Sequence, residues 1–318
     1  MELLAYRPQN TPLLPNLKAL NWNDGAIRYF PFISLFLSPT VTTMVVDIRY
    51  VSNAAKLWSL LRLKALALDS LFIEWGPEDE PFDEPERTQE EFAGALQSLQ
   101  DLTDLTLDDT ANFMIVSIDN LITISQYPHL SHLTISLDED HTGALDSRAT
   151  TGSFFSALRR LSVHCDDIPM ITRIIQTITS PNLKSISLIS SEAYGSCTEV
   201  SSLLRAIARH KRLTSLRVSI KGSDEEDIQG SPDFIITGKT LEPSFELKEL
   251  TDYRINVFAL SLTKEWLKKM AQSWPKLTNL ELASRDIRLR KTLQARDLKI
   301  FDQYCPQMKN ISVPVRAG

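Results

Sequence analysis

The feature that most limits how this chain can fold is a short phrase that keeps returning: an apolar residue, two variable ones, an apolar, one variable, an apolar. It reads Leu17, Leu20, Trp22, then Val41, Met44, Val46 and Leu68, Leu71, Ile73. Leu102, Leu105, Leu107, then Leu130, Leu133, Ile135 and Leu158, Leu161, Val163 continue it. Leu183, Ile186, Leu188 and Leu213, Leu216, Val218 follow, and Leu277, Leu280, Leu282 and Met308, Ile311, Val313 close the series. A degenerate copy stands at Leu247 and Leu250, with Asp252 in the third slot. Successive copies begin 24 to 34 residues apart, about 29 on average. Proline stands two residues before the first apolar position at Pro15, Pro39, Pro128, Pro181, Pro275 and Pro306. There it ends a preceding helix and keeps the chain extended on its way into a strand.

Between the copies the apolar spacing turns helical. Thr198 is placed to cap a helix carrying Val200, Leu203, Leu204 and Ile207 on one face. Thr88 and Glu91 read as a capping box before Phe92, Ala95, Leu96 and Leu99. Asp167 with Pro169 opens a stripe of Ile171, Ile174, Ile175 and Ile178. Trp266, Leu267, Met270 and Trp274 form another, and Leu298, Phe301 and Tyr304 a last one. A strand and a helix of this size cannot bury their own apolar faces; stacked copies can, through one continuous interior and a parallel ladder. The expected fold is therefore an α/β leucine-rich-repeat solenoid of about 11 repeats. Strands are about 4.8 Å apart and helices about twice as wide, so it should curve as a horseshoe, strands concave and helices convex. Eleven strands span about 48 Å. The whole chain, 1–318, is expected to be a single repeat domain with loop inserts at about 76–91 and 221–243.

Composition narrows the function classes. The chain carries 34 Lys+Arg against 40 Asp+Glu, a net charge of -6, and has no basic block, which disfavours nucleic acid as a partner. Cys165, Cys197 and Cys305 are odd in number, far apart and without CxxC spacing, so neither a disulfide framework nor a zinc site is expected. No signal peptide or membrane span is legible, and a cytoplasmic or nuclear location is expected. No phosphate-cradling glycine loop, nucleophile elbow or HExxH stretch is present, so the chain reads as a non-enzyme without metal or cofactor. His132 and His164 lie too far apart in the aligned repeats to share a metal. Cys165 follows His164 directly and so points to the opposite side of a strand, which leaves it a plain buried or loop thiol.

What remains is surface. Along each strand the apolar positions face the helices, and the residues between them face the concave side. The first repeats place acid there, through Asp47, Glu74, Asp104 and Asp108. The centre turns neutral to basic through His132, Arg160, His164 and Arg217, and Glu249, Tyr253 and Glu281 bring back acid and an aromatic. Aromatics and arginine dominate binding hot spots, which puts Phe72, Arg160, Arg217 and Tyr253 first among the candidates for contact with a protein partner.

The stretch Leu13 to Trp22, Leu-Leu-Pro-Asn-Leu-Lys-Ala-Leu-Asn-Trp, and the stretch from Leu35 to Val46 resemble the repeat region of fungal F-box proteins, especially the large mushroom set. In rhythm the resemblance covers nearly the whole chain. It implies a substrate-recognition repeat domain, in which an F-box docks on the adaptor of a cullin-RING ubiquitin ligase and the repeats hold the substrate. Met1 to Pro12 is too short for a three-helix F-box, so adaptor binding is expected only if an F-box lies upstream. The alternative is a stand-alone leucine-rich-repeat binding or inhibitor protein with no ligase link. Either way the expected state is a monomer with one protein partner on the concave face.

Overall fold

A computed structural model of the chain describes residues 12–23, 27–49, 51–64, 67–75, 85–109, 116–137, 154–191, 195–220, 231–285 and 293–315. The chain divides into two compact units, Met1–Ser136 and Leu137–Gly318. Each is an α/β leucine-rich-repeat stack.

In the first unit the strands are β1 (Ala19–Asn23), β2 (Thr43–Ile48), β3 (Ser70–Trp75), β4 (Asp104–Asp109) and β5 (His132–Ser136), hydrogen-bonded in chain order. All pairs are parallel, and the register matches phrase to phrase: Leu20 lies beside Met44, Met44 beside Leu71, Leu71 beside Leu105 and Leu105 beside Leu133. Helices α1 (Val51–Lys64), α2 (Pro85–Ser98) and α3 (Ile118–Ser125) complete the repeats. Trp58 of α1 meets Phe92 of α2 with ring centroids 4.6 Å apart, and Arg62 reaches Glu91 at 3.4 Å. Tyr127 is buried, its hydroxyl donating to Leu96 O at 2.5 Å; burial raises its pKa.

In the second unit β6 (Arg160–His164), β7 (Ser185–Ser190), β8 (Ser215–Ile220), β10 (Asp252–Val257), β12 (Asn279–Ser284) and β13 (Asn310–Ser312) form the ladder, again parallel. Helices α4 (Ile168–Thr177), α5 (Cys197–Ile207), α6 (Gly238–Leu241), α7 (Lys264–Ser273) and α8 (Ile300–Tyr304) lie between its strands. A separate two-stranded parallel sheet joins β9 (Ile235–Thr237) to β11 (Ala259–Ser261).

The register has a cause beyond the apolar phrase. One residue before most strands of the ladder, a single carbonyl receives two backbone N–H groups from the next repeat: Thr42 O accepts from Asp69 N at 2.8 Å and Ser70 N at 3.0 Å, and Thr214 O from Thr251 N and Asp252 N. Where that residue is Thr or Ser, its hydroxyl adds a third donor. Thr103 donates to Asp69 O (3.0 Å), Ser131 to Thr103 O (3.1 Å), Thr214 to Lys184 O (3.0 Å), Thr251 to Thr214 O (3.0 Å) and Thr278 to Thr251 O (2.7 Å). Buried strand carbonyls and amides need partners, and a ladder that binds three donors per carbonyl resists a one-residue slip.

Four local expectations change. The helix expected to be capped by Thr198 begins at Cys197, and Ser196 is its N-cap; Ser196 Oγ accepts from Glu199 N while the Glu199 carboxylate accepts from Ser196 N. Thr88 lies inside α2, a helix that starts at Pro85, because proline already suits the first helical position. Thr88 is therefore a buried helix residue and not a cap. The Asp167 cap holds, accepting from Met170 N at 2.9 Å. The stretch read as a loop insert at 76–91 becomes helix from Pro85, and 76–84 lies outside the described residues. In the second insert, 221–230 lies outside the described residues, whereas 232–241 contains a 3-10 turn, β9 and α6.

The degenerate copy also moves. Its strand is Asp252–Val257, with Tyr253 beside Leu216 and Ile255 beside Val218. Leu250, Tyr253 and Ile255 are a full copy of the phrase with tyrosine in its middle slot.

Candidate protein-binding surface

The strands expose the residues that alternate with the buried rungs. In the first unit Phe72 lies half-buried between Val45 and Thr106 on the neighbouring strands. Asp104 starts β4, and its carboxylate lies 3.4 Å from Nδ1 of His132, the residue beside it on β5. Ser131 Oγ lies 3.2 Å from the same nitrogen. Asp47 accepts from Asn23 Nδ2 at 2.9 Å and lies 3.6 Å from Arg49. Asp47, Glu74 and Asp108 are register partners along one row. Asp47 and Glu74, on adjacent strands, thus set two carboxylates one strand apart.

In the second unit Arg160 is exposed beside Ser185, His164 is half-buried beside Ile189, and Arg217 is exposed beside Ser187. Arg217 has Arg254 on its other flank, and Glu281 follows on β12. Arg254 donates through Nε to Asp252 Oδ1 at 3.1 Å and lies 3.8 Å from Glu281 through Nη1. Ser215 Oγ donates to Asp252 at 3.2 Å, and Asn310 Nδ2 to Asn279 Oδ1 at 2.8 Å. Neighbouring rungs therefore brace one another through polar bonds that run across the strands.

Two candidates leave this surface. Tyr253 is fully buried: its hydroxyl lies 3.1 Å from Ser244 Oγ and its ring 4.3 Å from that of Trp274. It is a core rung, because the shift in register gives it the slot of Leu216, and burial raises its pKa. Glu249 precedes Leu250 in a turn outside the strand, where Lys276 Nζ donates to its carboxylate at 2.6 Å. That hydrogen bond and charge hold Glu249 below the usual carboxylate range. Asp252, Arg254 and Asn256 take their places on the face. The signal that could have found them is the alternation Tyr-Arg-Ile-Asn-Val from Tyr253, which is concealed by a tyrosine in a slot otherwise filled by aliphatic residues.

No family model matches this chain. No curated protein matches it either. Among solved structures it resembles a crystal structure of a Rad7 and Elc1 complex in yeast, at 12% identity and a TM-score of 0.39, over 85% of this chain and 70% of that one. It also resembles the LRR protein LIC12759 of Leptospira interrogans, at 11% identity and a TM-score of 0.28, over 96% and 93% of the two chains. The fold assignment stands on the ladder itself.

On the helix side of the second unit a groove of about 1120 Å³ runs between α5 and the segment 232–246. Cys197, Arg205, Arg209, Lys239 and Glu242 line it. Cys197 Sγ donates to Ile235 O at 2.9 Å, and burial raises its pKa, so this thiol ties the small sheet to α5. Cys165 and Cys305 are buried thiols not joined in a disulfide, and burial pushes Cys305 up to about 11. Among the described residues no helix is long and apolar enough to cross a membrane, and no three His, Cys, Asp or Glu residues cluster as a metal site.

Proposed function

We propose that this chain is a protein-binding scaffold, working as one repeat domain over 1–318, whose partner lies against the concave strand face. The observation that carries this reading is the row of outward side chains held at strand spacing by an in-register ladder. Phe72 among carboxylates and Arg160 and Arg217 among hydroxyls offer the aromatic and arginine anchors that binding surfaces favour. Such positions are rigid before binding, so little ordering entropy opposes association. The working state is a monomer in the cytoplasm or nucleus.

The finer reading is that these repeats hold the substrate of an F-box-like ubiquitin-ligase receptor. It rests on the sequence resemblance to fungal F-box proteins. In that setting the ligase adaptor binds an upstream F-box and leaves the repeats free for substrate. The stand-alone reading differs only in lacking that module.

The test is a paired capture experiment in an extract of the source organism. Wild type is compared with a strand-face variant, Phe72→Ala with Arg217→Glu, and with a helix-side variant, Lys268→Glu. The reading expects a protein retained by wild type and by the helix-side variant and lost with the strand-face variant. Equal retention by all three would refute it. The ligase link is tested separately, by titrating purified adaptor against the full-length gene product. Saturable binding supports it, and absence of binding leaves the stand-alone scaffold.

A further inference from the structure

The turns that lead into the strands of the second unit carry a row of cations. Arg159 and Arg160 stand before and at the start of β6, Lys184 before β7, Arg212 before β8, Lys248 before β10 and Lys309 before β13, and all six are exposed. Their repeats are neighbours in one ladder: Arg159, Lys184 and Lys309 stand one residue before their strands, Arg212 three and Lys248 four, so the charges form a staggered band along the turns. Five steps at about 4.8 Å put about 24 Å between the first and the last. Lys211 and Lys276 stand in the same turns but are engaged by Glu246 and by Glu249. Among the described residues no carboxylate forms an ion pair with Arg159, Arg160, Lys184, Lys248 or Lys309. Arg212 spends one nitrogen on Asn182 Oδ1 at 3.1 Å, a neutral acceptor. The corresponding turns of the first unit hold Asp69 and Asp101, with Lys18 the cation among them.

A row of like charges at this spacing repels itself, so it costs stability and favours an oppositely charged occupant. We infer that this rim of the second unit docks an extended acidic segment of a partner protein, a deepening that rests on the scaffold reading above. An extended peptide advances about 3.3 Å per residue and turns every second side chain to the same side. Seven or eight residues therefore cover the row, with carboxylates at alternate positions about 6.6 Å apart, within reach of long Lys and Arg side chains. The rim does not suit a nucleic acid as well. Bound single strands need aromatic platforms, and among the described residues the exposed large hydrophobics, Leu14, Tyr29, Phe32 and Leu63, all lie in the first unit.

The test uses the full chain and a fluorescein-labelled octapeptide of alternating Glu and Ser, read by anisotropy at low salt. Saturable binding is expected, weakening as salt rises. The triple variant Arg159→Glu, Lys184→Glu, Lys309→Glu should lose at least about tenfold in affinity, with Lys268→Glu on α7 unchanged. All three rim residues are exposed, so folding is checked by circular dichroism; if reversal unfolds the chain, the Gln triple replaces it and should show the same direction. No binding to wild type, equal binding to the rim variant, or tighter binding of an oligo-dT of matched length would overturn the assignment. The scaffold reading is tested on the strand face, so a silent probe would sink the rim and leave that reading intact.

Discussion

The two units are written in one phrase and diverge wherever the phrase is silent. In the first, the rows between the rungs hold Asp47, Glu74 and Asp104, and the turns hold Asp69 and Asp101. In the second, the same rows add Arg160, Arg217 and Arg254 beside Asp252 and Glu281, and the turns hold arginine and lysine with Glu246 and Glu249 among them. Their helix sides differ as well. Two 14-residue helices cover much of the first, whereas the second interposes a four-residue helix and a separate two-stranded sheet. The ladder with its doubled N–H donors is common to both. Rung positions are fixed by burial, since an exposed or polar rung would forgo about 1.5 to 3 kcal/mol. The slots between them bury little and are free to take either charge. Binding character can therefore change from unit to unit without touching the fold.

The largest test of that division concerns the residue that crossed it. If Tyr253 is a rung, Tyr253→Ala removes a ring packed on Trp274 and leaves a cavity that costs about 3–5 kcal/mol. Phe72→Ala, on the exposed face of the first unit, should cost about 1 kcal/mol or less. Urea unfolding of the two variants measures both. Equal losses would mean that face and core are not distinguished as described.

Most of the scaffold was legible because burial writes itself into sequence periodically. Leu71, Leu105 and Leu133 fell on adjacent strands as their spacing implied. Tyr253 was misplaced because a tyrosine rung does not look aliphatic, and its hydroxyl meets Ser244, nine residues earlier in the chain. The small sheet was illegible because β9 and β11 are three residues each, too short for an alternation to register. The cationic rim was visible residue by residue, but the corrected register of β10 puts Lys248 in line with Lys211 and out of line with Lys184 and Lys309, which no local pattern announces. The carboxylate that holds Lys276 depends on a contact 27 residues away, which no local pattern encodes.

Glycines sharpen the contrast between the helix sides. A Cβ on Gly238 would sit 2.0 Å from Cγ of Trp266, against a ring that also packs on Phe245. Gly238→Ala should therefore cost about 1–3 kcal/mol through overpacking. In the first unit a Cβ on Gly94 would meet the Arg62 guanidinium at 2.9 Å, the movable end of a long side chain. Gly94 lies inside α2, so Gly94→Ala should gain up to about 1 kcal/mol from helix propensity. Opposite signs in thermal unfolding are expected. A loss at both positions would mean that Arg62 is as fixed as Trp266.

The ladder itself should respond alike in both units. Thr103→Val and Thr251→Val each delete a hydroxyl bond of 3.0 Å to a carbonyl that keeps its two backbone donors. Each should cost about 0.5–1 kcal/mol. A difference between them larger than about 1 kcal/mol would show that the ladder contributes unequally to the two units.

The smallest expected effect is a pH dependence confined to the second unit. His210 is partly buried, and that desolvation lowers its pKa from the ordinary 6.5; a hydrogen bond toward Ile175 O, at 3.4 Å, opposes the shift, and Arg209 reinforces it. The unfolded chain then binds a proton at a higher pH than the folded one. The stability that neutral His210 contributes is fully present above 6.5 and is lost as pH falls from there through the lowered folded value. Tm should decline on moving from about pH 7.5 to about pH 5.5, and His210→Gln should make that decline shallower. A variant whose Tm falls as steeply as wild type would assign the slope to other groups.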